Sequence, residues 1–116
     1  MSIELYGIPN CDTVRKARKW LDAEGVEYTF HDFKKEGVAE SDLRQWIAAA
    51  GLDVVLNKRG TTWRKLSDAD KAKAESEAGA IDLLVQHASM IKRPVAVHAG
   101  GTLVGFEEET WSAKLL

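Results

Sequence analysis

The chain has 116 residues, 45% of them hydrophobic and 29% charged, a composition that suits one compact globular domain and excludes a disordered chain. No apolar run approaches the roughly 18 residues of a membrane span, and Met1–Leu5 has neither the basic region nor the apolar core of a secretory signal, so a cytoplasmic protein is expected. Sixteen basic against eighteen acidic residues give a formal net charge of −2, which supplies no broad basic field for nucleic acid; a single cysteine, Cys11, excludes an internal disulfide and a cysteine-rich metal site.

Ile3-Glu4-Leu5-Tyr6 alternates apolar and polar side chains and stops at Gly7-Ile8-Pro9-Asn10, which predicts a short strand and a turn that delivers Cys11. From Asp12 to Glu24, Val14, Ala17 and Leu21 recur at helical spacing and Gly25 follows as a C-terminal cap, so Cys11 falls at the first turn of a helix. Val26–Phe30 alternates again as a second strand, and a strand, helix, strand unit with strands this short pairs them in parallel. Beyond the polar turn Lys34–Gly37, Leu43, Trp46, Ile47 and Ala50 mark one face of a helix that Gly51 ends. Leu56–Leu66 has no period, carries Lys58, Arg59, Arg64 and Lys65, and reads as a functional loop.

Ser67 with Asp70 predicts a helix over Asp68–Ala78, and Ile81, Leu84, Val85 and Ala88 predict another over Ala80–Ala88. Val95-Ala96-Val97 and Thr102-Leu103-Val104, joined by Ala99-Gly100-Gly101, have the pattern of an antiparallel hairpin. Glu107, Glu108 and Glu109 suit the positive end of a last helix, with Trp111 and Leu115 facing the core.

A cysteine reacts as its thiolate, and with an ordinary pKa near 8.5 only a few per cent is ionised at neutral pH. A helix start supplies unpaired backbone N–H groups and roughly half a positive charge, both of which favour the anion at Cys11. Asp12 opposes this unless its carboxylate turns toward its own helix cap. The competing reading of Cys11 is a small, inert buried hydrophobe. Thr13 either hydrogen-bonds the sulfur or satisfies a first-turn amide. Val14 stands where a dithiol oxidoreductase carries its second cysteine, so turnover needs an external thiol. Arg59 and its basic neighbours read either as an anion receptor or as a solvated loop face. His31, His87 and His98 lack metal spacing and are expected at the surface or at an edge; Trp20, Trp46 and Trp111 are expected in the core, Trp63 there or lining a groove.

Tyr6-Gly7-Ile8-Pro9-Asn10-Cys11-Asp12-Thr13, Asn57-Lys58-Arg59-Gly60-Thr61-Thr62-Trp63-Arg64-Lys65-Leu66, Ile91-Lys92-Arg93-Pro94 and Leu103-Val104-Gly105-Phe106, in this order over essentially the whole chain, resemble the ArsC/Spx family, and most closely its YffB branch. The resemblance implies an α/β, thioredoxin-like mixed sheet of about four strands flanked by helices. It implies a single domain over 1–116, with a helical insertion at about 39–90 between the βαβ and ββα halves. It also implies Cys11 as nucleophile, with Asn10, Thr13, Arg59, Arg93 and Pro94 binding substrate or glutathione, and a cis bond before Pro94 where sequence alone favours trans.

The arsenate reductases of that family have a third arginine where Phe106 stands and a histidine where Gly7 stands. Losing a charge weakens an oxyanion receptor, and Phe106 suits a larger organic disulfide. The expected function is a glutathione-dependent thiol–disulfide oxidoreductase with glutathione as co-substrate, a disulfide or oxyanion as substrate, and no metal, membrane or direct nucleic-acid partner. Two rivals are an arsenate reductase with an altered oxyanion site and an Spx-like regulator that binds RNA polymerase, whose disulfide switch Val14 removes.

Overall fold

The computed structural model describes residues 3–116. In chain order the elements are β1 (Ile3–Gly7), α1 (Asp12–Ala23), β2 (Tyr28–Asp32), α2 (Phe33–Glu36), α3 (Glu40–Ala50), α4 (Leu52–Val55), α5 (Thr61–Lys65), α6 (Asp68–Lys73), α7 (Glu77–Gln86), a 3-10 turn (Ala88–Met90), β3 (Val95–His98), β4 (Gly101–Val104) and α8 (Glu108–Leu115). They make two compact units, one reaching to Glu36 and resuming at Arg93, the other spanning Gly37–Lys92.

The first unit is built on a mixed four-stranded sheet of order β2-β1-β3-β4. β1 runs parallel to β2, with Leu5 opposite Phe30, and antiparallel to β3, with Leu5 opposite Ala96; β3 and β4 form the expected hairpin. Alternation decides which face is covered. Ile3, Leu5 and Gly7 are buried while Glu4 and Tyr6 between them are half-buried. On the face of Ile3, Leu5 and Ala96 sit Ala17, Trp20 and Leu21 of α1 and Trp111 of α8, forming one apolar cluster. Each large side chain in it contributes about 1.5–3 kcal/mol by leaving water. Trp111 lies edge-on to Phe106 at 4.9 Å and to Trp20 at 6.3 Å, so three aromatic rings close this core. β2 begins at Tyr28 rather than Val26, because Val26 still belongs to the helix exit, its N–H donating to the Leu21 carbonyl at 2.9 Å.

The second unit is helical. Leu43, Trp46 and Ile47 form the buried stripe of α3, which packs on α4 and α7. The residues that follow α4 meet the end of the unit at a bridge between Leu56 and Ile91, reinforced by Asn57 N–H to the Met90 carbonyl at 2.7 Å and Lys92 N–H to the Val55 carbonyl at 2.8 Å. Three expectations are corrected here. Leu56–Leu66 is not wholly loop, since Thr61–Lys65 forms α5; a helix of five residues with none buried shows no period. Asp68–Ala78 is two elements, because α6 ends at Lys73 and Ser76 caps a new helix by accepting from the Gly79 N–H at 3.1 Å. α7 therefore stops at Gln86, Ala88 falls in the 3-10 turn, and Val85 is 42% exposed rather than in the core.

Candidate active site

The turn after β1 is closed by the Cys11 N–H donating to the Ile8 carbonyl at 3.1 Å. Cys11 itself is extended (φ −85°, ψ 127°) and is the N-cap of α1, its carbonyl accepting the first helical bond from Arg15 at 2.9 Å. A cap residue has its side chain beside the free N–H groups of the first turn. Cys11 makes no side-chain capping hydrogen bond of full geometry, yet its half-buried thiol is held below its ordinary pKa: burial pushes it up, but the nearby Val14 N–H, Arg93 guanidinium and Thr13 N–H more than reverse the effect. Thr13 thus contributes through its main chain.

The objection from Asp12 falls away. Its carboxylate is exposed and paired with the Arg15 guanidinium at 3.2 Å, and the same guanidinium donates to the Asn10 carbonyl at 2.9 Å. Asn10 is exposed, and the bond its carbonyl accepts is this one from Arg15.

The fully buried side chain of Val14 lies against the Cα of Gly7 on β1. A Cβ at position 7 would come within 2.8 Å of Val14 Cγ2, closer than real side-chain carbons approach. The histidine that the family resemblance aligns here therefore has no room while Val14 keeps its place. Sequence reasoning missed this contact, since Gly7 beside Ile8-Pro9-Asn10 reads simply as a turn residue.

Arg93 precedes Pro94, and the bond between them is cis, as the fold resemblance implied against the statistical preference. The Pro94 carbonyl accepts from the Gly105 N–H at 2.8 Å, and the Gly105 carbonyl accepts from the buried indole N–H of Trp111 at 3.0 Å. The strand entrance next to Arg93 is thereby tied to α8. Phe106 is half-buried and packs against the aromatic core, its ring 6.1 Å from Trp20 and 4.9 Å from Trp111.

Arg59 belongs to the second unit, where it is exposed on the turn before α5. Its N–H donates to Asn57 Oδ1 at 3.0 Å, its carbonyl accepts from Arg64 at 2.8 Å, and it lines an open groove with Lys58, Lys92 and Asp53. Half-buried Trp63 has the Lys58 ammonium 5.3 Å and the Lys71 ammonium 6.0 Å from its ring centre.

His31 on the edge strand β2 is more organised than its spacing suggested. It stacks on Tyr6 at 4.7 Å and stands between Glu36 at 3.0 Å and Glu4 at 3.1 Å, two carboxylates that raise its pKa, the Glu36 hydrogen bond acting most strongly. Among the described residues no group of three side chains has metal-binding geometry, and no helix is long and apolar enough to cross a membrane.

Fold and site together define a thioredoxin-like protein with one half-buried cysteine at a helix start and its thiolate favoured. The ArsC family profile matches residues 6–114, and the chain belongs to the ArsC family. Among solved structures it is similar to the YFFB (PA3664) protein, with 50% identity and a TM-score of 0.94 over 99% of this chain and 100% of that one. It is also similar to the arsenate reductase of Rhizobium meliloti (strain 1021), 30% identical over 104 residues that cover 88% of this chain and 73% of the relative. The global transcriptional regulator Spx 1 of Lactococcus lactis subsp. lactis (strain IL1403) is 26% identical over 110 residues, 92% of this chain and 84% of the regulator.

Proposed function

We propose that the protein is a thiol–disulfide oxidoreductase that uses Cys11 as its single nucleophile and glutathione as the resolving thiol. The observation that carries this reading is a thiolate favoured by the Val14 and Thr13 N–H groups and by Arg93, in a chain with no second cysteine. The Cys11 thiolate attacks the glutathione sulfur of a mixed disulfide; that S–S bond breaks and the substrate leaves as a thiolate that takes up a proton. The thiolate of a second glutathione then attacks the adduct, oxidised glutathione departs, and the Cys11 thiolate is restored. One mixed disulfide and one glutathione become one substrate thiol and one oxidised glutathione.

Asn10, Thr13 and Pro94 contribute main-chain groups to the binding of the thiol partner in this proposal, while Arg93 and Arg59 receive its carboxylates. The test is intact mass after brief exposure to oxidised glutathione across pH, with Cys11→Ser as control. The reading expects one rapid adduct at neutral pH that reduced glutathione reverses; slow modification tracking an ordinary thiol titration refutes it. An Arg59→Ala variant modified at the parent rate removes Arg59 from the role.

The arsenate reductase relative supports a second enzyme reading, in which Cys11 attacks an oxyanion. Phe106 in the aromatic core and the space closed at Gly7 weigh against it. Arsenate-dependent oxidation of glutathione by the purified protein decides between the two. The Spx relative supports a binding role at RNA polymerase, for which capture of the polymerase alpha C-terminal domain, indifferent to Cys11→Ser, is the required result.

A further inference from the structure

We infer that Gly7 and Val14 act as positioning residues for Cys11: the missing side chain at position 7 lets Val14 seat against β1, and that seating fixes the first turn of α1, whose free N–H groups lie beside the sulfur. The inference rests on the reading of Cys11 as the protein's reactive thiolate. Its geometry is independent of that reading. The Val14 side chain is fully buried, and the space it fills is the space a Cβ on Gly7 would take, 2.8 Å from Cγ2 and 3.2 Å from Cγ1.

Valine has one strongly preferred χ1 rotamer in a helix, so it cannot swing away from a wedge at position 7. The displacement must pass into the backbone of residue 14, which carries the donor. Slack elsewhere is small. Only Ile8–Cys11 separate β1 from α1, and the Cys11 N–H to Ile8 carbonyl bond closes that link at 3.1 Å. Ala17 and Leu21, one and two turns further along, are anchored in the core with Leu5 and Trp111. A wedge at Gly7 therefore lifts the first turn of α1 while the rest of the helix stays in place. The first turn is the part that faces the sulfur.

The experiment measures the titration of Cys11 by thiolate ultraviolet absorbance, and its rate of modification by oxidised glutathione, in the full chain and in Gly7→Ala, Val14→Ala and the double variant, with circular dichroism as a check of folding. Gly7→Ala is expected to raise the titration midpoint and to slow modification at neutral pH by about threefold or more. The double variant, which has room for the new Cβ, is expected to titrate with Val14→Ala. A low midpoint in the parent that Gly7→Ala leaves unmoved overturns the inference alone. An ordinary thiol titration in the parent overturns the reactive-thiol reading, and this inference with it. If Gly7→Ala does not fold, Val14→Ala and the double variant carry the test: both midpoints raised together above the parent's support the inference, whereas a Val14→Ala midpoint equal to the parent's, or a double variant higher than Val14→Ala, refutes it.

Discussion

Trp111→Phe tests whether α8 is fastened to the site by the hydrogen bond as well as by apolar contact. Trp111 is 1% exposed, and its indole N–H donates at 3.0 Å to the Gly105 carbonyl, whose own residue donates to the Pro94 carbonyl. Phenylalanine keeps an aromatic ring near Phe106 and Trp20 but cannot donate. Leaving a buried carbonyl without its donor costs about 1–3 kcal/mol. The smaller ring gives up roughly 40 Å² of buried apolar surface, about 1 kcal/mol at 25 cal/mol per Å². The expected loss is thus about 2–4 kcal/mol, a fall in Tm on the order of 10 °C for a chain of this length. Urea titration followed by far-ultraviolet circular dichroism reads the free energy and a thermal melt reads Tm. A loss under about 1 kcal/mol at an unchanged denaturant slope would show that the Gly105 carbonyl finds another partner at no cost, and would refute the argument.

Arg93→Ala should raise the Cys11 titration midpoint and lower the thiolate fraction at neutral pH, measured by ultraviolet absorbance; an unchanged curve removes Arg93 from the sulfur. His31 has its folded pKa raised by Glu36 and Glu4, so the stability it contributes is fully present below its unfolded value near 6.5 and is lost as pH rises through the higher folded value. Glu36 is shifted downward by the same pair, so its share is present above its unfolded value and disappears as pH falls through the lower folded one. His31→Gln should accordingly cost more stability at mildly acidic pH than at alkaline pH, and denaturant midpoints with equal cost at both would contradict the pairing. Gly79→Ala should destabilise by about 1–3 kcal/mol despite the better helix propensity of alanine, since the new Cβ would sit 2.1 Å from the Lys73 carbonyl oxygen, a backbone atom that cannot turn aside. A stability equal to the parent's, in the same urea assay, would mean that the α6 to α7 junction yields freely.

Much of the first unit was legible because its elements are long enough to show a period. Val14, Ala17 and Leu21 mark the buried face of α1, and the turn before them puts Cys11 at the helix start, which already predicts a favoured thiolate. The hairpin and the last helix were equally plain. The second unit was harder to read where elements are shorter than two turns. α4 and α5 have four and five residues, and the break between α6 and α7 turns on one serine cap at Ser76. At the site, the helix-start amides are local and readable, whereas Arg93 reaches Cys11 from more than eighty residues along the chain and was expected only by family resemblance.

The Thr13 amide beside the sulfur is a main-chain group, present whichever side chain stands at that position. Alanine scanning of the first turn would therefore return near silence at Thr13 and mistake the result for irrelevance; only proline, which lacks the N–H, deletes such a donor directly. Evolution faces the same blindness from the other side. Side chains that neither seat the first turn nor pair with the sulfur, Thr13 among them, can change what is bound while the amide's support of the anion persists, so a fold of this kind can change substrates without rebuilding its nucleophile.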